Sequence, residues 1–389
     1  MKVSLSRGAA IGLGLVASVA LAACGSSSGP TNSTSSKDSS AAVAEAKASV
    51  AKALAGLNTP PPTTGPAAVK GKNVWIVSCT QAAPGCAAPT AAVQEAAKTL
   101  GWTTTVVDGK GTPAGYVAGI QQAVAAKANG VIVVAVDCVA AKSALAQAKS
   151  AGVPVVGTDV FDCDDSKANA GPPLFAANIV PAEGSMSAWA TEWGKLGADY
   201  AIATTDGKAK VIHIVQTGFI QTAWQAEGYN NEMAKCTSCD VVATVDISPA
   251  DLGAPATVAQ KIATVLLQHP EATVLSASND TILLEAIQSI RSYKATHPSL
   301  IVVGGEGETS AAVDLVRSGI VNAEIAYSAG WQGYAGADAM NRVFAGQPKI
   351  PVQGLGYQII TKDRNLPAAG SGYTPTIDYA AAFKAVWTK

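Results

Sequence analysis

Short apolar runs of strand length alternate along the chain with longer stretches whose apolar residues recur at helical spacing. The runs form two series, at 74–78, 104–107, 131–136, 153–156 and 174–179, then at 211–215, 241–245, 272–275, 300–303 and 323–326. Between the series, Met186, Trp189 and Trp193 fall on one helical stripe. Alternating strands and helices predict parallel sheets with right-handed crossovers, and the two series of five predict two similar lobes.

Polar side chains stand at the ends of several predicted strands. They are Gln81, Asp137, Asp159, Asn279, Asp280 and Glu306. In open parallel sheets, ligands bind beyond the carboxyl ends of the strands. A single Asp or Asn in such a place is as readily a helix cap or a turn residue. Together, these residues favour a cleft between two facing lobes.

The first 23 residues have the layout of a secretory signal. Lys2 and Arg7 supply positive charge, and an uncharged, mostly apolar stretch follows at 8–21. That stretch is shorter than the about 20 residues that a membrane span needs. The tetrapeptide LAAC, which ends at Cys24, resembles the lipobox of bacterial lipoproteins. This implies that residues 1–23 are cleaved off and that Cys24 is acylated, which anchors stably when two or more chains are attached. The alternative is an ordinary secretory signal.

The segment 24–70 is expected to be a flexible tether that contains one short helix. Residues 25–40 are mostly Ser, Gly, Thr, Asn and Pro, and such a composition buries too little apolar surface to fold. Residues 41–57 are rich in alanine and predict the helix, which the prolines at 60–62 end. The folded body is expected to begin near Lys70.

The composition favours an exported α/β protein. The 389 residues suggest about two domains. Hydrophobic residues make up 48% and charged residues 14% of the chain, which suits buried parallel sheets. With a formal net charge of −1 and no clustered basic surface, no nucleic-acid partner is expected.

Six of the seven cysteines remain if Cys24 is lipidated, an even set that indicates disulfides in an exported protein. Nearest neighbours are the favoured pairs, namely Cys79–Cys86, Cys138–Cys163 and Cys236–Cys239. The CxxC at 236–239 has two other interpretations. A zinc site would need four ligands, and no second CxxC or paired histidine accompanies this one. A redox motif would follow a strand at the start of a helix, whereas this CxxC follows a helical stretch and precedes a strand. No metal and no cofactor are expected.

From about Lys72 to Lys362, the chain resembles the type I periplasmic binding proteins of bacterial ABC importers, in the ribose- and galactose-binding branch. The stretches that carry the resemblance are VIVVAVD, PVVGTD, AWQAEGYNNEM, SASNDTILLEAIQSI, IVVGGEGETSAAVDLVRSG and AEIAYSAGWQGYAG. It implies an α/β fold with two Rossmann-like lobes, joined by crossings near 176–180, 327–329 and 352–357. The first lobe would comprise 72–176 and 329–354. The second would comprise 177–328 and 355–389, including a last helix at 376–389.

The resemblance also implies which residues bind a ligand. Asp159, Asn279 and Glu306 match polar positions of the sugar binders, although Asp280 competes with Asn279. Val160 and the loop 222–225 stand where the family has arginines. Aromatic residues in predicted loops offer faces for stacking, with Trp331 alternatively a core residue. The full candidate set is Gln81, Asp137, Asp159, Phe161, Trp224, Asn279, Glu306, Tyr327 and Trp331.

The sequence therefore predicts an extracytoplasmic, lipid-anchored, monomeric protein that binds a small neutral solute, a sugar or polyol, and delivers it to an ABC permease. The alternatives are a receptor subunit for a membrane signalling partner and a binder of a cyclic or aromatic non-sugar. An anionic ligand is disfavoured beside Asp159 and Glu306. An enzyme is disfavoured because the chain lacks HExxH and Walker motifs.

Overall fold

Two mainly parallel sheets organise the structure, a computed structural model that describes residues 39–307 and 309–389. The predicted signal peptide (1–23), the lipidation of Cys24 and the first part of the tether lie outside the described residues. Within the described ranges, no helix combines the length and the apolar character that crossing a bilayer requires.

The first lobe is built on a five-stranded parallel sheet with the order β2-β1-β3-β4-β5. Its strands are β1 (Asn73–Ser78), β2 (Thr103–Asp108), β3 (Gly130–Val134), β4 (Val155–Thr158) and β5 (Ala177–Asn178). All residues of the central strand β3 are buried, as expected for an apolar strand that is covered on both faces.

The second lobe is built on a six-stranded sheet with the order β11-β10-β9-β8-β6-β7. Its strands are β6 (Lys210–Gln216), β7 (Asp240–Ile247), β8 (Val274–Ala277), β9 (Ile301–Glu306), β10 (Ala323–Ala326) and β11 (Gln358–Thr361). The edge strand β11 is antiparallel to β10, and the other pairs are parallel.

Helices connect the strands and pack on the sheets. They are α1 (Ser39–Ala55), α2 (Pro84–Leu100), α3 (Pro113–Ala125), α4 (Cys138–Ser150), α5 (Met186–Thr204), α6 (Ile220–Met233), α7 (Pro249–Leu252), α8 (Pro255–Gln268), α9 (Asp280–Glu285), α10 (Ile287–Thr296), α11 (Ser310–Arg317), α12 (Ala329–Phe344) and α13 (Tyr379–Trp387). Several begin at a polar side chain that accepts a hydrogen bond from the backbone N–H three residues later. These caps are Thr112, Ser185, Asn279, Thr309 and Ser328.

Two predictions about the architecture are confirmed. The chain forms two α/β lobes, and each of the ten predicted strands overlaps a strand of the structure. The strand β11 was not predicted, because its two isoleucines make too short an apolar run to indicate an edge strand. The strand β5 pairs with β4, so it belongs to the first lobe although the predicted boundary put it in the second.

The predicted disulfides also occur in the structure. It pairs Cys79 with Cys86, Cys138 with Cys163 and Cys236 with Cys239, at Cα–Cα distances of 5.8, 5.1 and 5.3 Å.

Two crossing segments run side by side, in the same direction, between the lobes. Gln353 N donates to Val180 O at 2.6 Å, and Ala182 N donates to Leu355 O at 2.7 Å. The side chain of Gln353 also accepts from Val180 N at 3.0 Å. A third crossing leads from β10 into α12. Hydrogen bonds therefore join the two crossing segments directly.

Helix α1 occupies most of the stretch predicted as an alanine-rich helix (41–57), and it lies on α5 of the second lobe. Its residues Ala46 and Ala53 have no exposed surface. Their small side chains let the two helices approach closely, so α1 is held by packing. This part of the expected tether (24–70) is thus docked on the folded body rather than free of it.

Residues 57–69, which we call the N-terminal strap, continue from α1 across the hinge. Leu57 N donates to Tyr357 O at 2.7 Å, and Thr59 N donates to Gly354 O at 2.9 Å. Both acceptors belong to the crossing that leads to β11. The strap therefore runs beside the hinge as a further connection between the lobes.

The far end of the strap is bound to α12 of the first lobe. Arg342 Nη2 donates to Thr64 O at 2.9 Å, and Val69 N donates to the side chain of Asn341 at 2.9 Å. The strap thus joins α1, on the second lobe, to α12, on the first.

The C-terminal helix α13 packs on α12 and α2 of the first lobe, and its predicted place on the second lobe is wrong. Its apolar face carries Phe383 and Trp387, which stack on each other and lie against Tyr334 of α12. The aromatic face of α12 explains the position, because aromatic rings pack well against one another.

Asp338 of α12 is a fully buried carboxylate that joins these segments. It accepts hydrogen bonds from Arg342 Nε at 2.8 Å, Trp387 Nε1 at 3.0 Å and Gln353 Nε2 at 3.2 Å. The donors come from α12, the C-terminal helix and the hinge. A buried charge requires such compensation, and Asp338 receives it from three directions.

We expect Asp338→Ala to lower the free energy of unfolding by about 3–5 kcal/mol, because it leaves the Arg342 guanidinium buried without its counter-ion. Urea unfolding, followed by tryptophan fluorescence, measures the change. The control is Asp314→Ala, which breaks the half-exposed ion pair with Arg317 and is expected to cost less than about 1 kcal/mol. Equal losses in the two variants would contradict a central role for Asp338.

Candidate functional site

The two lobes meet where β3 and β6 end. Asp137 follows β3 in the first lobe, and its side chain accepts from Phe161 N at 2.9 Å. It also accepts from Ile220 N, the first residue of α6 in the second lobe, at 3.2 Å. Burial raises the pKa of Asp137 to about 6, although the two N–H donors oppose the increase. Both oxygens of Asp137 are thus used in joining the lobes.

Asp159 follows β4 and has the chemistry of a ligand-binding group. Its backbone is in the left-handed region, with φ of 59°, and only 7% of the residue is exposed. Among the described residues, its Oδ1 atom has no hydrogen-bond partner. Burial raises the pKa of Asp159 to about 7, with a smaller contribution from Asp137, while Gln332 and Gln221 lower it. Asp159 therefore offers an unused acceptor when ionised and a donor when protonated.

The second lobe contributes a network of amides. Asn279 caps α9, accepting from Ile282 N at 3.2 Å, and its amide nitrogen donates to the side chain of Gln216. Gln225 of α6 donates to Ser278 O at 3.0 Å, and its own Oε1 is buried without a partner in the described part of the chain. The capping interpretation of Asn279 is thus observed, and amide groups surround it at the end of β8.

Glu306 and Tyr327 lie together at the ends of β9 and β10. The tyrosine hydroxyl donates to Glu306 Oε1 at 3.4 Å. The Tyr327 ring contacts Trp189 and Trp193 with centroid distances of 4.9 and 5.5 Å. Tyr357 of the hinge completes this aromatic cluster by stacking on Trp189 at 4.9 Å. Packing therefore fixes the direction of the Tyr327 hydroxyl.

Three other candidates lie at or near the rim. Gln81 is exposed and bonds locally, donating to Ser78 Oγ at 2.7 Å. Phe161 lines a groove of about 520 Å³ that is formed by the first lobe, the hinge and the start of α5. Trp224 of α6 is bound by residues of the first lobe, since its Nε1 donates to Asp165 Oδ1 at 3.3 Å.

Trp331 is a core residue, and its placement beside the cleft is wrong. It has no exposed surface, its Nε1 donates to Gln353 O at 2.8 Å, and its ring stacks on Tyr379 at 5.1 Å. The reason is local, because Ser328 caps α12 and accepts from Trp331 N at 3.2 Å. The tryptophan therefore stands in the first turn of a buried helix, as the alternative interpretation had it.

Gln216, Gln221 and Gln332 were not predicted as site residues. Gln221 and Gln332 face Asp159, and Gln216 bonds to Asn279. Gln332 is fully buried, and both polar atoms of its side chain lack a partner within the described ranges. A glutamine gives little sequence signal by itself. The sequence signal that could have indicated Gln216, Gln221 and Gln332 is their position close to strand–helix junctions.

Comparison with known proteins finds a family whose model matches most of the chain. The family model described as a periplasmic binding protein domain matches residues 74–348. No curated protein sequence matches the chain.

Three solved structures show the similarity of fold. A solute-binding protein of an ABC transporter from Agrobacterium vitis, with bound allitol, is 17% identical, with a TM-score of 0.63, covering 76% of this chain and 96% of its own. The arabinose-binding component from Shewanella sp. ANA-3, bound to L-arabinofuranose, is 18% identical, with a TM-score of 0.63 and coverages of 81% and 95%. A solute-binding protein from Bacillus halodurans C-125, with bound myo-inositol, is 15% identical, with a TM-score of 0.63 and coverages of 76% and 96%.

We expect stability to depend on pH through Asp159. An aspartate in an unfolded chain has a pKa of about 3.9, so the folded state holds more protons between about pH 4 and 7. The free energy of unfolding contributed by this group therefore falls as the pH rises through that window. Asp159→Asn removes the effect and keeps a side chain that tolerates the left-handed backbone.

The variant should be more stable than the wild type by up to about 4 kcal/mol at pH 8, and the difference should vanish near pH 4. Urea unfolding at several pH values measures it. Asp363→Asn, in an exposed turn, is the control. A difference between Asp159→Asn and wild type that is the same at every pH would contradict the assignment.

Proposed function

The chain belongs to the periplasmic binding protein domain family, and we propose that it captures a small neutral sugar or polyol between its lobes and delivers it to an ABC permease. The family consists of non-enzymatic solute-binding proteins, so the activity is binding, outside the cytoplasm. We further propose that the protein is a monomer held at the membrane by lipid on Cys24. The neighbours bound to allitol, arabinofuranose and myo-inositol support a polyhydroxylated ligand.

The observation that carries the proposal is the buried Oδ1 of Asp159, which lacks a partner in the described part of the chain. It faces Gln332 and, from the other lobe, Gln221. Carboxylate and amide groups suit hydroxyls, which donate and accept hydrogen bonds. A buried acceptor without a partner is costly, and a ligand hydroxyl removes that cost.

The charges at the site support a neutral ligand. Among the described arginines, Arg342 is paired with Asp338 in α12, Arg317 is paired with Asp314, and Arg291 and Arg364 are exposed on the second lobe. The acids at the strand ends thus face amides rather than guanidinium groups. An anionic solute buried beside Asp159 would have no guanidinium group from the described residues to compensate its charge.

Titration calorimetry with allitol, L-arabinose and myo-inositol tests the proposal. We expect at least one of them to bind with micromolar affinity, which corresponds to about −8 kcal/mol. Asp159→Ala and Asn279→Ala should each weaken that binding by about 1–3 kcal/mol, because each leaves ligand hydroxyls without partners.

Asp363→Ala and Asn231→Ala are the matched controls, since both residues are exposed on the second lobe. They should bind as the wild type does. A protein that binds none of these solutes, nor any of a panel of pentoses, hexoses and cyclic polyols, would contradict the proposed ligand class. Unchanged affinity in Asp159→Ala would remove that residue from the site.

The lipid anchor has its own test. Cys24→Ser removes the thiol that would be acylated, so the variant should leave the membrane fraction and fail to incorporate labelled palmitate. Cell fractionation and radiolabelling measure the two effects. The Cys236→Ser/Cys239→Ser double variant, which keeps Cys24, is the control and should stay in the membrane fraction. A serine variant of Cys24 that remains membrane-bound would count against lipidation.

A further inference from the structure

Side chains beyond the proposed ligand contacts also join the two lobes. Residues 161–175 of the first lobe, which we call the latch loop, lie against α6 of the second. Lys167 Nζ stands 4.3 Å from the centroid of the Trp224 ring and forms an ion pair with Glu227. Asp165 accepts from the Trp224 nitrogen at 3.3 Å. Two residues of the first lobe, Asp165 and Lys167, thus contact two side chains of α6 in the second lobe.

The latch loop is held in one conformation by a buried carboxylate. The side chain of Asp162 accepts from Cys163 N at 2.7 Å, Leu174 N at 2.8 Å and Phe175 N at 3.0 Å. The bonds from Leu174 N and Phe175 N join the start of the loop to its end. Asp165 also accepts from Lys167 N at 2.9 Å, which fixes the turn that presents both side chains to α6.

The disulfide Cys138–Cys163 ties this loop to the other inter-lobe contact. Cys138 follows Asp137, which accepts from Ile220 N at the start of α6. Cys163 follows Asp162 in the latch loop. The Cys138–Cys163 disulfide therefore lies next to both parts of the first lobe that contact α6. Asp137 contacts the first residue of α6, and the latch loop contacts the helix one turn later.

We propose that the latch loop is a clasp for the closed state, in which Asp165 and Lys167 are positioned by the Cys138–Cys163 disulfide and slow the separation of the lobes. The inference goes beyond the proposed function, because it concerns closure rather than the identity of the solute. It rests on capture between two lobes, but its test needs no solute. Failure of the clasp and failure of sugar binding are therefore distinguishable.

The test uses the full chain labelled with 5-fluorotryptophan. Fluorine NMR reports the surroundings of Trp224, whose signal is the one lost in Trp224→Phe, and small-angle X-ray scattering reports the radius of gyration. Lys167→Glu removes the cation over the ring and repels Glu227. We expect the Trp224 signal to move, the radius of gyration to rise and the ratio of open to closed molecules to increase at least threefold.

Two further variants distinguish an effect on the closure of the lobes from a local change around Trp224. The charge swap Lys167→Glu/Glu227→Lys restores the ion pair and should recover most of the wild-type radius. Lys47→Glu makes the same charge change at an ion pair between α1 and Asp206, and it should leave both measurements unchanged. The proposal is overturned if Lys167→Glu keeps the wild-type radius, even with a shifted Trp224 signal, or if the wild type is already as expanded as the variant.

The disulfide is tested in the same way. Cys138→Ser/Cys163→Ser should reproduce the effects of Lys167→Glu, whereas Cys236→Ser/Cys239→Ser, which removes a disulfide next to β7, should not. Circular dichroism checks that the first variant is folded, and the Lys167 variants decide the outcome if it is not. A folded Cys138→Ser/Cys163→Ser protein with the wild-type radius would overturn the role of the disulfide.

Discussion

The arrangement of the lobes depends on the hydrogen bonds that one buried carboxylate, that of Asp338, accepts. Its three donors belong to α12, to the hinge crossing and to the C-terminal helix. One donor, Arg342, also binds the strap. Another, Gln353, bonds to the backbone of Val180 in the neighbouring crossing. The first-lobe side of the hinge is therefore held by hydrogen bonds from three segments of the chain. Gly354 adopts φ of 87°, and a Cβ atom there would collide with Thr59 O, so the strap requires this glycine.

The acids at the strand ends have separate roles, and their partners show why. Asp137 uses both oxygens on backbone N–H groups, one from each lobe, so it stabilises contact between the lobes. One oxygen of Asp159 is buried without a hydrogen-bond partner among the described residues. This costs free energy, and a hydrogen bond from a ligand hydroxyl would remove the cost. The same residue type at equivalent positions thus joins the lobes in one case, and in the other has the free acceptor on which the proposed function rests. The difference between the two aspartates lies in the groups that other segments of the chain place near each carboxylate.

The features of the fold that regular sequence patterns encode were predicted from the sequence. Ten strands, two lobes and the three disulfide pairs followed from apolar runs and cysteine spacing. Features that depend on packing between distant segments were not predicted. The place of α13 follows from the aromatic face of α12, and the buried position of Trp331 follows from the cap at Ser328. Gln221 and Gln332 flank Asp159 only because α6 and α12 begin beside it, which no local pattern reveals.

The connections between the lobes are of two kinds, and their difference suits reversible capture. At the hinge, the crossings and the strap are joined by backbone hydrogen bonds and by a buried, fully compensated charge. At the rim, α6 is held by an ion pair, a cation–π contact and single hydrogen bonds. An exposed ion pair contributes about 0–1 kcal/mol and a cation–π contact about 0.5–1 kcal/mol. Contacts of this strength fit the proposal that the latch loop biases the closed state without locking it, and that a bound solute decides when the lobes stay together.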